Sequence, residues 1–405
     1  MEFLTSQNKS ACFGCEACVQ ACPKNALKMQ EDAEGFRYPQ LNEDLCIHCG
    51  LCHKVCPAEN MPEASQDEKY AFGGYHNSLN VRKFSTSGGA FTAIAQQWAE
   101  QNPDYLLFGA ASKGLAVFHY GIDNIRKLPV ICKSKYSQSR IGDTYVQVRD
   151  ALKAGKKVLF SGTPCQVAGL KAFLRNADTA NLLLVEVICE GVPSPLYVRK
   201  LDDHIFRTYG SRIKKLDYRS KGQKFSPESF KWDFERMSLE LEDGRILEKD
   251  RWFNPYWSIW LQHLMSRPSC YECPFTTTER QADITLGDLW GVHLYCPELY
   301  GKNGGASLIV CNTEKGRNLW KAAEKRFTGH ALDFETALKY QSPMRKHIDA
   351  NPEREDCMRD LMNSEMSYQE ICDKWAKKPD AKLLFQKYVW GNRQKVFVWN
   401  LKNKK

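Results

Sequence analysis

No run of apolar residues in this chain approaches the roughly 18 that a membrane-crossing helix needs, so no span is expected. The first seven residues lack the basic stretch and apolar run of a secretory leader, which makes the cytoplasm the expected location. A polybasic arm is missing too, apart from a short tail at 402–405, and nucleic acid is not an expected partner. There is no Gly-x-Gly-x-x-Gly, which argues against an ordinary dinucleotide fold built on that turn. Nine histidines are scattered without a Ser/His/Asp arrangement, and no side chain is assigned a catalytic role. What remains is a 405-residue chain, 43% hydrophobic and 26% charged, of ordinary globular polarity. At about 150 residues per unit it has room for about two or three domains.

Cysteine, by contrast, is abundant. Seventeen in a chain with no leader point to metal or redox chemistry rather than disulfides. Cys12, Cys15, Cys18 and Cys22, followed by Pro23, recur with the same spacing as Cys46, Cys49, Cys52 and Cys56, followed by Pro57. This is the bacterial ferredoxin run for two [4Fe–4S] clusters. Three close cysteines wrap one face of a cubane, and the fourth reaches across to the other cluster. Cys12, Cys15, Cys18 and Cys56 are therefore assigned to one cluster, and Cys46, Cys49, Cys52 and Cys22 to its partner. Pro23 and Pro57 redirect the chain after each crossing ligand. Gly14, Ala17 and Gly50 leave room for sulfide. Zinc sites use cysteine pairs separated by longer loops, not four ligands in eleven residues twice over. His48 and His53 flank ligands and would only tune potential.

Around this repeat the pattern divides the chain into three. Residues 1–62 form the two-cluster head, with short strands at 25–29 and 35–41, and a polar linker follows. Residues 70–332 alternate strand-length apolar runs (105–111, 157–160, 182–188, 282–286 and 306–310) with helical stretches at 91–100, 146–154 and 167–175. Such alternation predicts an α/β sheet covered by helices. The 210–249 stretch is irregular, with a hairpin turn expected around Glu242, Asp243 and Gly244. Residues 333–405 read as a polar, helical cap without legible chemistry.

Four segments of the central region place glycine and small residues where a strand or loop meets a helix: 85–91, 134–139, 161–166 and 283–291. Taken singly, each is an ordinary cap or turn. Together they resemble the beta-subunit family of coenzyme F420 hydrogenases and dehydrogenases, from about residue 82 to 313. The most specific stretches run from Gly162 to Lys171, from Arg267 to Pro274 and from Gly287 to Gly291. The resemblance implies an α/β core that binds flavin and iron–sulfur, so that the whole chain is α+β with a ferredoxin-like head. Its members look like flavoproteins that bind FAD and carry at least one [4Fe–4S] cluster. The family also includes reductases of chlorophyll intermediates, so the fold does not fix the substrate.

What the resemblance implies for four scattered cysteines is a third [4Fe–4S] cluster on Cys165, Cys189, Cys270 and Cys273. Read without it, Cys165 and Cys189 could be buried small hydrophobes, and the Cys270/Cys273 pair a redox couple or half a zinc site. An oxidised four-thiolate cluster carries roughly −2, so three would bring the formal +9 down to roughly +3. Cys132, Cys296, Cys311, Cys357 and Cys372 receive no role. FAD contacts are expected at Ser87, Gly88, Gly89, Lys135, Tyr136, Gln138, Ser139, Gly162 and Thr163, with Asp288 and Trp290 on the same wall. Glycine-rich turns at helix amino ends can hold a pyrophosphate through backbone N–H groups. Lys135 and Arg140 suit a phosphate or acidic substrate, or equally a solvated basic face.

These readings together describe an oxidoreductase passing electrons between a hydride carrier or reducible small molecule, FAD and clusters. By the resemblance, that carrier is coenzyme F420. A ferredoxin-dependent reductase of another substrate, or a pure electron-transfer subunit, would use the same parts. Either way the expected partner is a redox protein or subunit such as a ferredoxin, hydrogenase or dehydrogenase.

Overall fold

Segments apolar on both faces can be satisfied only at the middle of a covered sheet. Leu182–Val187 and Ser307–Cys311 are two such segments, and each is buried along nearly its whole length. The computed structural model describes residues 2–222, 225–226, 235–300 and 304–402. In it these segments belong to an eight-stranded mixed sheet. Tyr105–Lys113, Lys157–Gly162, Leu182–Val187 and Ile284–Asp288 run parallel in that order. Antiparallel neighbours complete both sides: Ala116–Ile122 on one, and Ser307–Cys311, Tyr70–His76 and Phe327–Leu332 on the other.

Helices cover both faces. Ala90–Gln101 and Glu314–Ala323 pack Ile94, Trp98, Leu319 and Trp320 against one face. Thr144–Lys153 and Pro164–Leu174 pack Tyr145, Val148, Leu170 and Leu174 against the other. The second of these starts with a capping box, in which Thr163 and Gln166 satisfy each other's backbone, and Pro164 sits at its first turn. The alternation expected over the central region is thus present. The strands at 70–76, 116–122 and 327–332, and the 15-residue helix Pro195–Tyr209, are additional to it.

The 210–249 stretch forms a three-stranded antiparallel sheet of Ile213–Ser220, Arg236–Leu241 and Ile246–Asp250. Gly244, at φ 88°, turns its hairpin as expected, while residues 223–224 and 227–234 of this stretch lie outside the described residues. This sheet, Pro195–Tyr209, Pro255–Leu261 and the helices Arg354–Met362 and Tyr368–Trp375 share a second core, with Tyr197, Tyr256, Trp260, Met358 and Ile371 inside. Much of the region read as a cap therefore contributes to a core.

The cysteine-rich head, with its hairpin Leu27–Glu31 and Arg37–Leu41, is joined to the large sheet by an extensive seam. Cys15, Ala17 and Val55 enter the same apolar cluster as Val167 and Leu170. Gly169 lets the Pro164–Leu174 helix pass so near that a Cβ there would lie 2.9 Å from the Cβ of Cys15. Gln20 of the head accepts from the backbone N–H groups of Tyr145 (2.9 Å) and Val146 (3.2 Å), a helix start that its own Asp143 leaves uncapped. Arg354 forks onto Glu34 at 3.1 and 2.6 Å.

At the centre of the seam lies Arg267, only 1% exposed. It donates to Cys12 O (3.1 Å), Arg37 O (3.1 Å) and Gln138 Oε1 (3.0 Å), and its guanidinium lies 4.2 Å from the Tyr38 ring centre. Replacing Arg267 with leucine removes all three bonds and leaves buried acceptors unmet, a loss of about 3 kcal/mol or more. The head should loosen. Limited proteolysis should cut the 58–69 segment in the variant and spare it in the parent, and equal resistance would show that Arg267 does not hold the seam.

Candidate redox centre

The ferredoxin-type repeat places its cysteines through two short helices, Ala17–Ala21 and Leu51–Lys54, each entered through a left-handed residue, Glu16 (φ 62°) or Gly50 (φ 68°). In the first copy Cys15 and Cys18 are buried beside that turn, whereas in the second Cys49 is exposed and Cys52 half-buried. Cys12, Cys15 and Cys18 line one small cavity, and Cys56, from the other copy, lines it with them. Burial pushes the Cys15 and Cys18 thiols well above their usual range, and the neighbouring thiols add to it. Around Cys52, burial and the nearby Cys49 and Cys22 act in the same direction. Cys46 stands at the surface beside His48, whose backbone N–H points to its sulfur at 3.4 Å. Thiols that crowd and raise one another in this way gain most from a bound cation that stabilises the thiolate form.

A second convergence forms where three distant segments meet. Cys165 sits in the first turn of the Pro164–Leu174 helix, with Thr163 Oγ1 3.2 Å from its sulfur. Cys189 follows the Leu182–Val187 strand, and Cys270 and Cys273 flank the turn after Arg267. Burial pushes Cys270 up to about 11 and Cys273 up to about 12, with neighbouring thiols adding to each. Cys189 is raised by burial and then by Cys270, Cys165 and Cys273 together. Gly191, at φ 100°, brings the backbone within 3.4 Å of Cys270 Cβ, measured from where its own Cβ would lie. Cys15 and Cys165 are also close enough to influence each other, so the two thiol groups are neighbours across the seam.

Beyond Cys165 opens a cavity of about 400 Å³, within the usual range for a small-molecule site. It sits at the carboxyl ends of the parallel strands, where ligands of open α/β sheets bind. Gly162, Thr163 and Cys165 follow one strand, Ile188, Cys189 and Glu190 the next, and Asp288 and Trp290 a third. The Ala90–Gln101 helix presents its amino end here, with Gly89 as an N-cap that has no side chain to satisfy the first N–H groups.

Ten of the eleven expected contact residues line this cavity: Ser87, Gly89, Lys135, Tyr136, Gln138, Ser139, Gly162, Thr163, Asp288 and Trp290. Gly88 does not. Its N–H bonds Ser307 Oγ at 2.9 Å, and its α-carbon is pressed against the sheet, so its lack of a side chain serves strand packing. The left-handed glycine of the turn is Gly89, at φ 94°. Arg140 also lies elsewhere, in a separate cleft with Arg37, Glu31 and Arg199 between head and core.

Residues that sequence reasoning passed over complete the walls. Arg219 bonds Asp288 at 2.6 Å and the Tyr136 hydroxyl at 3.2 Å. Arg251 stacks over Trp257 at 5.0 Å. Tyr136 packs edge-on against Trp257 (4.8 Å) and Trp260 (4.9 Å), forming an aromatic wall. The buried indole Nε1 atoms of Trp257 and Trp260 have no hydrogen-bond partner among the described residues. Lys135 donates to Ala110 O and Cys132 O, and burial pushes its ammonium down to about 8. His119, held between Ser139 Oγ (2.6 Å) and Ser161 O (3.0 Å), is driven down to about 4 by burial and stays neutral near pH 7. No sequence signal marked the arginines and tryptophans, because they come from the irregular stretch and the helix after it.

Comparison with known proteins finds one match in the central region and one in the cysteine-rich head. Residues 155–333 match the family model for the C terminus of the coenzyme F420 hydrogenase/dehydrogenase beta subunit, and residues 11–60 match the 4Fe-4S dicluster domain. Over 58 residues, 14% of this chain and 73% of the relative, the chain is 34% identical to ketoisovalerate oxidoreductase subunit VorC of Methanothermobacter marburgensis. A chain of the F420-reducing [NiFe] hydrogenase complex from Methanosarcina barkeri overlays with a TM-score of 0.44 at 17% identity, covering 78% of this chain and 92% of that one.

The position of Gly88 yields a clear expectation. A methyl group there would lie 2.5 Å from Gly74 O and 2.7 Å from Ser307 N, both backbone atoms that cannot step aside. Gly88→Ala should therefore lower the stability of the whole protein by about 2 kcal/mol, the scale of an overpacked core. Thermal melting reads this directly. An unchanged melting temperature with a loss confined to ligand binding would instead make Gly88 a cavity residue.

Proposed function

We propose that this chain, which belongs through residues 155–333 to the coenzyme F420 hydrogenase/dehydrogenase beta-subunit family and carries a 4Fe-4S dicluster domain at its head, is a flavin-dependent oxidoreductase. It would hold three [4Fe–4S] clusters and one FAD, and exchange electrons between a hydride-carrying small molecule and a redox partner protein. By family, the hydride carrier is coenzyme F420. The relationship to iron–sulfur oxidoreductases stands on the two family matches. The observation that carries the finer reading is the double position of Cys165, which belongs to the four converging thiols and to the wall of the 400 Å³ cavity.

Bound FAD would supply the exchange between two-electron hydride chemistry and single electrons, which no side chain here can perform. The chain's own residues would bind and orient it. The uncapped N–H groups of the Ala90–Gln101 helix, beside Gly89, suit a pyrophosphate. Tyr136, Trp257 and Trp260 offer flat apolar surface and keep water out, and the two indole N–H groups are donors in want of acceptors. Arg219 is held by Asp288 and Glu235, and Arg251 lies over Trp257 beside the same Glu235, so one wall of the cavity carries fixed, paired guanidinium groups. The thiol groups neighbour one another in turn: exposed Cys49 acts on Cys52, Cys52 on Cys18, Cys165 on Cys15, and Cys165 lines the large cavity. Electrons would need only short steps between them.

Iron and flavin content test this reading. Anaerobic reconstitution should give about twelve iron atoms and one FAD per chain. Near eight iron atoms would remove the third cluster, and absence of flavin would reduce the chain to an electron-transfer subunit.

Lys135 adds a pH signature. Its ammonium, facing Cys132, Asp217, Lys133 and Lys215, is charged below about 8 and loses its proton above that value. An anionic cofactor would lose that attraction as pH rises. The dissociation constant of FAD should increase several-fold between about pH 7 and pH 9 in the parent. In Lys135→Met it should stay flat, and parallel curves would take Lys135 out of the binding site.

A further inference from the structure

The last two helices, Ala381–Tyr388 and Asn392–Lys402, take no part in the thiol groups. Their surface is unusual. Phe385, Tyr388, Val389, Trp390, Phe397 and Leu401 are each between 49% and 63% exposed. Single exposed hydrophobes are normal on any protein, but six within 17 residues concentrate exposed apolar area in one segment. Phe385, Tyr388 and Val389 fall at i, i+3 and i+4 along the first helix and its C-cap, and Phe397, Trp399 and Leu401 are all exposed on the second.

Charge accompanies these residues. From 381 to 402 the sequence contains Lys382, Lys387, Arg393, Lys395 and Lys402, with no aspartate or glutamate. Lys387 is turned inward, 2.7 Å from Asp250, and Val396 is buried, so both helices are anchored to the rest of the protein. Lys382, Lys395 and Lys402 remain exposed beside the apolar residues.

We propose that these helices dock the protein onto an anionic lipid bilayer, lying in the headgroup layer. No helix among the described residues is long and apolar enough to cross a membrane, so the contact is one of surface residence. Aromatic and aliphatic residues interleaved with lysine are the composition of such interfacial helices. A second copy of the same surface would bring like charges together, which disfavours self-association through it. Nucleic acid could stack on Trp390 and Phe397 but has no use for Val389 and Leu401. These side chains stand exposed on surface helices, and a fluid bilayer needs no groove to receive them. Arg251 and Trp257 border both the large cavity and the groove that contains Lys382 and Leu383, so docking would set one wall of the cavity close to the lipid.

The test uses the full chain with its clusters loaded, sedimented with vesicles of equal parts phosphatidylglycerol and phosphatidylcholine. It should pellet at low salt and be released at about 0.5 M salt. With phosphatidylcholine alone, binding should be about tenfold weaker or less. The exposed pair Lys382→Glu/Lys395→Glu should weaken binding to anionic vesicles by about tenfold or more, with the melting temperature unchanged. Phe385→Ser/Phe397→Ser should do the same through the apolar term. Absence of pelleting, equal binding to neutral vesicles, or variants that bind like the parent would overturn the proposal. So would a dimer that forms without lipid and is lost in Phe397→Ser, or a preference for an oligonucleotide over the vesicles.

Discussion

The molecule depends on one buried cation. A guanidinium removed from water is costly unless something nearby compensates it, and carboxylates usually do so. Arg267 has no carboxylate partner among the described residues. Its bonds go to two backbone carbonyls of the head and one side-chain amide of the core. Its charge acts on Cys165 and Cys270, favouring their thiolate forms, and its bond to Cys12 O brings it beside the first thiol group as well. In the proposed reading, thiolate-bound iron on both sides supplies the missing negative charge. One side chain then fixes the head to the core and sets the electrostatics of the step between them. Lysine would be a poor replacement, since a compact ammonium cannot reach three acceptors in one plane.

The sheet explains how a nucleotide-sized cavity can exist without the usual glycine fingerprint. The same physical elements are present, distributed differently. Strand ends converge, a helix amino end faces the opening, and a glycine permits the close turn. Here the helix follows a left-handed Gly89 on an antiparallel branch of the sheet instead of the first parallel crossover. The Thr163 turn, which does follow a parallel strand, places a cysteine at the point where a phosphate would usually sit.

How much was legible in the sequence follows from how local each signal is. The eight head cysteines were readable because spacing alone determines how a chain wraps a cubane. The central strands were readable as short apolar runs. Tyr70–His76 was not, since Gly73 and Gly74 dilute its pattern. Those glycines are required by the neighbouring strand, for a Cβ on Gly74 would lie 2.4 Å from Thr328 O. Gly88, expected at the cavity, lies against the sheet instead, and the sequence could not separate the two for a related reason. A glycine before a helix looks the same whether its missing side chain makes room for a ligand or for a strand. The wall of Arg219, Arg251, Trp257 and Trp260 has no local signature, because those residues meet at the cavity only once the second core has formed around Trp257 and Trp260.

The burial of the head against the core has a consequence for maturation. Cys15 lies under the helix that carries Gly169, and Cys18 is equally enclosed. A scaffold protein delivering iron and sulfide could not reach either sulfur once the seam had closed. In the proposed reading, a head that carries clusters would take up iron and sulfide at these two sulfurs most readily before it docks. Gln20 of the head in turn completes the start of a core helix, so docking stabilises that helix as well.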